Sequence, residues 1–257
     1  MNFFFGLNQN DIKSKISIPK FKSSGEYNSK VKLFSAEIQN YNWKIKYEKS
    51  EESSYFFNIY EDSINNKKIF FIANENEVEE YLKNTNGNIL KDINNFTDTA
   101  PSFRCNLKVF KEGCGYSSYQ SDYPFKMINK NGSVFSSIFL LTNKMADKNY
   151  IFFRNIFYKP IEEDFDFYIV NLNEKKVVFN KKIKSNYSNL IEIKKDFINE
   201  DSYFFTKKYI GIPIYLSILN GHLSFEHTHP PHTYILSKKK YELVGNIKKK
   251  INEIIDQ

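Results

Sequence analysis

The chain has 257 residues, of which 41% are hydrophobic, 17% aromatic and 26% charged. This is enough apolar material for a sizeable core, so wholesale disorder is excluded, and the length suits one large β-rich domain or two smaller units. The net charge of +7 is small for the length, rests on lysine with only two arginines (Arg104 and Arg154), and is scattered apart from Lys238–Lys240 and Lys248–Lys250, so arginine-based base readout and a nucleic-acid partner are not expected.

In chain order, residues 1–28 read as polar and irregular, with Ile16, Ile18 and Phe21 as contacts for an edge strand. They hold no long apolar stretch or basic leader, and no run in the chain reaches the roughly 18 apolar residues of a membrane helix. The expectation is a cytoplasmic protein without a membrane partner, its two cysteines, Cys105 and Cys114, reduced. Residues 30–47 alternate as two strands joined near Gln39–Asn42. Residues 53–60 and 67–73 add further strands. Val78, Tyr81 and Leu82 stand at helical spacing and predict a helix over 76–83.

The polar stretch 89–101 suggests a boundary. Residues 1–95 are expected to form a small β-containing unit with one short helix, and residues 96–257 the main domain. Arg104–Phe110 alternates with Cys105, Leu107 and Val109 on one face, and Lys111–Phe125 reads as a long Gly/Ser/Tyr-rich loop. Strands are expected over 134–141 and 150–157, and a hairpin over 165–179 with Asn173 in its turn. Further strands follow over 190–193, 202–206, 212–219 and 222–228. Many short strands at this spacing predict a mainly β protein, an antiparallel β-sandwich or jelly-roll-like core. Leu243, Val244, Ile247, Ile251, Ile254 and Ile255 recur at helical spacing and predict an amphipathic C-terminal helix, docked on the sheet or on a second subunit of a homo-oligomer.

All four histidines, His222, His227, His229 and His232, lie within twelve residues at the end of the last strand pattern. In an extended segment Leu223, Phe225, His227 and His229 share a face, opposite His222 and Glu226. His227 and His229 would converge on one ligand or ion, and Pro230 and Pro231 would turn His232 toward them. The spacing Gly221-x5-His227-x-His229 resembles the opening of the first metal motif of the cupin family over nine residues. That resemblance implies a metal-dependent enzyme. Near the position where the family pattern carries a glutamate, this chain has Thr233 and Tyr234, and no histidine follows His232. No metal or other cofactor is therefore assigned. Residues of this kind concentrated on one loop still favour a functional site over packing.

The second constellation is the run Gly113–Phe125. Tyr116, Tyr119 and Tyr123 offer flat apolar faces with hydroxyls, and Gln120 and Asp122 add directed hydrogen-bonding groups. A sugar or other polyol needs this combination. Cys114 is a candidate nucleophile with His227 or His229 as base and Asp122 as orienter. Arg154, inside an apolar run, calls for a carboxylate or a ligand anion. Asn95, Asn131 and Asn186 each open an Asn-x-Ser/Thr triplet, which 31 asparagines supply by chance.

The resulting expectation is recognition or modification of a polar small molecule, a carbohydrate or nucleotide-sugar above all. Cys114, Tyr116, Tyr119, Gln120, Asp122, Tyr123, Arg154 and the four histidines are its candidate residues. These residues leave open whether a reaction follows binding. The alternatives are a structural, oligomer-forming protein and the cupin-like enzyme. Nucleic-acid binding would require lysines gathered on one face with exposed aromatics.

Overall fold

The computed structural model describes residues 3–21, 25–27, 30–85, 105–120, 127–227 and 231–257. The chain is mainly antiparallel β with a sandwich-like core and a C-terminal helix. It divides into two compact units. The first holds residues 1–129, 155–162 and 186–188, and the second holds residues 130–154, 163–185 and 189–257.

The first unit carries a six-stranded sheet. Its path is β5 (Glu51–Glu52), β6 (Phe56–Ile59), β2 (Ile12–Pro19), β8 (Asn106–Lys111) and β9 (Tyr116–Gln120), and β1 (Asn8–Gln9) pairs with β2. β2 is thus a paired interior strand rather than the edge contact expected from its polarity. Ile12, Ser14, Ile16 and Ile18 are buried on one face, while Lys13, Lys15 and Ser17 alternate with them on the other. The lysines masked a period-two pattern by making the segment look merely polar. A three-stranded sheet places β3 (Val31–Gln39) between β4 (Asn42–Tyr47) and β7 (Ile69–Asn74). The β3–β4 turn puts Asn40 at φ 51° and Tyr41 at φ 60°, both left-handed as a two-residue primed turn requires. Helix α1 (Glu75–Thr85) follows β7 and buries Val78, while Leu82 stays exposed.

One polar residue ties together the return segments of this unit. Asn186 sits at φ 51° and is buried. Its Oδ1 accepts the Phe157 N–H at 2.6 Å, its Nδ2 donates to the carbonyls of Lys159 and Ile161 at 3.0 Å each, and its own N–H donates to Asn155 Oδ1 at 2.7 Å. The side chain of this Asn-x-Ser triplet is committed to the interior.

The second unit has two four-stranded sheets. One orders β10 (Val134–Ser137), β15 (Ser202–Thr206), β12 (Asp164–Asn171) and β13 (Lys176–Lys184). The other orders β14 (Ser188–Ile193), β11 (Lys148–Arg154), β16 (Ile212–Leu219) and β17 (His222–His227). Phe153 of β11 meets Phe165 and Phe167 of β12 and Phe204 of β15 edge to face, with ring centroids 6.2–6.4 Å apart, so the two sheets pack as a sandwich. In the β12–β13 hairpin the left-handed residue is Lys175, at φ 50°, and Asn171 Oδ1 accepts the Glu174 N–H. Helix α2 (Lys240–Ile255) covers the outer face of the first of these sheets. Ile251 is fully buried with Phe135, Val170 and Phe205, flanked by Val244, Ile247, Ile254 and Ile255. The isoleucine stripe therefore docks within its own chain.

Candidate ligand-binding face

The run that reads in sequence as a long loop after Lys111 begins instead as a hairpin. β8 and β9 pair from Phe110↔Tyr116 to Asn106↔Gln120. The tight connection needs left-handed backbone at Gly113 (φ 76°) and Gly115 (φ 70°), and the Cys114 N–H donates to the Lys111 carbonyl at 3.0 Å. The serines and tyrosines of β9 lack the aliphatic alternation that marks a strand. The two glycines were the available signal for a turn.

Register then assembles a surface. β2 pairs with β8 so that Lys13 stands opposite Phe110 and Lys15 opposite Lys108, and β8 pairs with β9 so that Phe110 stands opposite Tyr116 and Lys108 opposite Ser118. Leu107 and Val109 are buried on the inner face, so Lys108, Phe110 and Tyr116 share the outward face with Lys13 and Lys15. Sequence reasoning treated these lysines as scattered, because residues 13–15 and 108–111 meet only through sheet pairing.

An open cleft of about 960 Å³ lies on this face. Lys13, Lys15, Lys108 and Lys111 line it against two acids, Asp11 and Glu112, and Phe110 and Tyr116 supply apolar surface. The cleft is therefore electropositive. Lys111 Nζ is paired with Asp11 at 2.7 Å, and Lys15 Nζ lies 3.6 Å from Glu61. Among the described residues, Lys13 and Lys108 have no carboxylate partner. Lys108 Nζ instead sits 3.5 Å from the ring centroid of Tyr116, and Lys15 Nζ lies 4.7 Å from that of Tyr60 and 5.6 Å from that of Phe110. The ammonium groups of Lys15 and Lys108 thus lie over aromatic rings. Tyr116 remains 63% exposed. Cations above aromatic faces, beside hydroxyls and open backbone, are equipped to hold an anionic group and an adjoining ring.

Of the residues singled out from sequence, Tyr116 lines the cleft, and the half-buried Cys114 lies between two lining glycines. Tyr119 pairs with Leu107 and Gln120 with Asn106 in the same hairpin. Asp122, Tyr123 and His229 lie outside the described residues.

Arg154, His222 and His227 belong to the second unit. Arg154 is fully buried at the end of β11, opposite Ile212. His222 is exposed at the start of β17, after the Asn220–Gly221 turn. His227 is half-buried at the end of that strand, its Nδ1 3.5 Å from Glu226 Oε1. His232 falls in a short 3-10 turn, Pro231–Thr233. Among the described residues no group of three or more His, Cys, Asp or Glu side chains is placed to hold a metal ion, and no helix is long and apolar enough to cross a membrane. Cys105 is buried, which pushes its thiol well above the usual range and keeps it protonated. No family model matches the chain, and no curated protein or solved structure matches it.

Proposed function

We propose that this protein recognises a polar, anion-bearing small molecule of the carbohydrate or nucleotide-sugar class at the Lys–Tyr cleft of its six-stranded sheet. The observation that carries this reading is the outward row Lys13–Phe110–Tyr116 beside Lys15–Lys108–Ser118, set by strand register around a cleft of about 960 Å³. The volume suits one compact ligand. Aromatic faces match the C–H surfaces of a sugar, and the lysines match an acidic substituent.

A single-stranded nucleic acid is the weaker fit. Such a strand needs an extended groove, whereas this cleft of about 960 Å³ suits one compact ligand. A cytoplasmic location is part of the proposal and is supported by the two unpaired cysteines.

The test is equilibrium binding of the full chain to a panel of neutral hexoses, sugar acids and nucleotide-sugars. Tyr116→Ala should weaken the best binder by about 1 kcal/mol, the scale of one aromatic contact. A panel without a binder, or a binder indifferent to Tyr116→Ala, contradicts the reading.

A second reading, self-association through the segment leading into α2, is favoured by one observation. Tyr234, Leu236, Tyr241 and Leu243 are exposed, Leu236 completely. Sedimentation should then give a dimeric mass that Leu236→Asp reduces to the monomer.

A further inference from the structure

Resting on the carbohydrate or nucleotide-sugar reading, we infer that the acidic group of the ligand is a phosphate or diphosphate, gripped by Lys13, Lys15 and Lys108, and that its capture uncovers Tyr116 for the adjoining ring. Three observations support this. Lys15, with Glu61 3.6 Å from its Nζ, and Lys108 are direct partners in the β2–β8 pairing, a placement of like charges that an anion held between them would relieve further. Among the described residues Lys13 and Lys108 have no carboxylate partner, so two ammonium groups can turn to an anion, against one lining acid, Glu112, outside the Lys111–Asp11 pair. Among the described residues no arginine lines the cleft. Lysine ammoniums are point charges with freely rotating donors, and they can hold the spread oxygens of a phosphate without a guanidinium fork.

The positions of the ammonium groups add a mechanism. Lys108 leans over Tyr116 toward β9, and Lys15 lies over Tyr60 and, farther off, Phe110. The two ammoniums rest over different rings, and an anion seated between their strands would draw on both. A phosphate seated there attracts Lys108 back from Tyr116. The ring, 63% exposed before this movement, then presents its free face to a sugar joined to the phosphate.

The test uses the full chain at low ionic strength, with inorganic pyrophosphate, UDP-glucose, glucuronate, glucose and a twelve-nucleotide single-stranded DNA as probes. The proteins are wild type, Lys13→Gln and Lys108→Gln. Binding is followed by calorimetry, and the Tyr116 ring by its NMR signals. Pyrophosphate should bind, UDP-glucose should bind more tightly, and each substitution should weaken both by about threefold, the scale of one exposed charge contact. The Tyr116 signals should shift with either ligand, and added salt should weaken both.

Failure of pyrophosphate, with glucuronate or glucose bound in a Tyr116-dependent way, overturns the phosphate assignment and leaves the carbohydrate reading standing. Failure of all four small probes overturns both. DNA binding tighter than UDP-glucose, and lost in the two lysine variants, replaces both with a single-strand platform.

Discussion

Lys15 and Lys108 stand directly opposite each other in the β2–β8 pairing, with Lys15 Nζ over Tyr60 at 4.7 Å and Lys108 Nζ over Tyr116 at 3.5 Å. Two cations at one register position work against the sheet that carries them. Cross-strand pairs are worth about 0.2–1 kcal/mol, with like charges at the unfavourable end. Replacing Lys108 with Gln should therefore leave the protein as stable as the wild type or stabilise it by up to about 0.5 kcal/mol at low salt. Thermal unfolding at two salt concentrations checks this. A clear loss of stability would show that Lys108 serves the fold rather than the cleft.

Asn186 is the reverse case, a polar residue whose work is wholly structural. Its side chain accepts the Phe157 N–H and donates to the carbonyls of Lys159 and Ile161. Asn186→Ala removes three hydrogen bonds, leaves buried groups without them and puts alanine at φ 51°. The expected loss is about 3 kcal/mol or more, measured by denaturant unfolding. Asn186→Asp should be similarly damaging, because a carboxylate would then face two carbonyls. The same burial predicts an unmodified Asn186 even in a glycosylating host, which peptide mass spectrometry reads directly.

These two residues show where sequence was informative and where it was not. Local periodicity carried far. The 3.6-residue spacing of Leu243, Val244, Ile247, Ile251, Ile254 and Ile255 announced α2, although Leu243 stays exposed, and the alternation of Cys105, Leu107 and Val109 announced β8. β2 was harder, since its exposed positions are lysines and its buried ones include Ser14. The cleft was half legible. Tyr116 and the two glycines stood out by composition, but Lys13 and Lys108 are 95 positions apart and meet only through strand register, which a single sequence does not reveal. Asn186 looked like one more of 31 asparagines, because the need for a left-handed, three-way hydrogen-bonding residue exists only after folding.

Alkaline pH should unfold the protein through its interior tyrosines. Burial holds the Tyr215 hydroxyl well above the ordinary tyrosine value near 10. Tyr209 is raised first by burial and then by its hydrogen bond to Glu163. A raised folded value means that the folded state keeps its proton while the unfolded chain releases it. The stabilisation is complete below pH 10 and is lost as the pH climbs above it. Unfolding followed between pH 8 and 12 should show this decline, with tyrosinate absorbance from these two rings appearing only on unfolding. Tyr215→Phe should flatten the decline. An unchanged alkaline slope in that variant would contradict the assignment.

Helix α2 should behave as part of the second unit's core. Ile251→Ala removes a fully buried side chain from the cluster of Phe135, Val170 and Phe205 and should cost about 2–5 kcal/mol. Leu243→Ala, at an exposed position on the same helix, should stay within about 0.5 kcal/mol. Equal effects at the two positions, measured by denaturant unfolding, would argue against the observed docking face.

The most direct test of the central claim is residue-resolved NMR mapping of UDP-glucose on the full chain at low ionic strength. The account predicts saturable shifts concentrated at Lys13, Lys15, Lys108, Phe110 and Tyr116, with His222 and His227 unmoved, since neither lines the cleft. Shifts centred on His222–His227 with the lysine face silent, or no saturable shift anywhere, would contradict it.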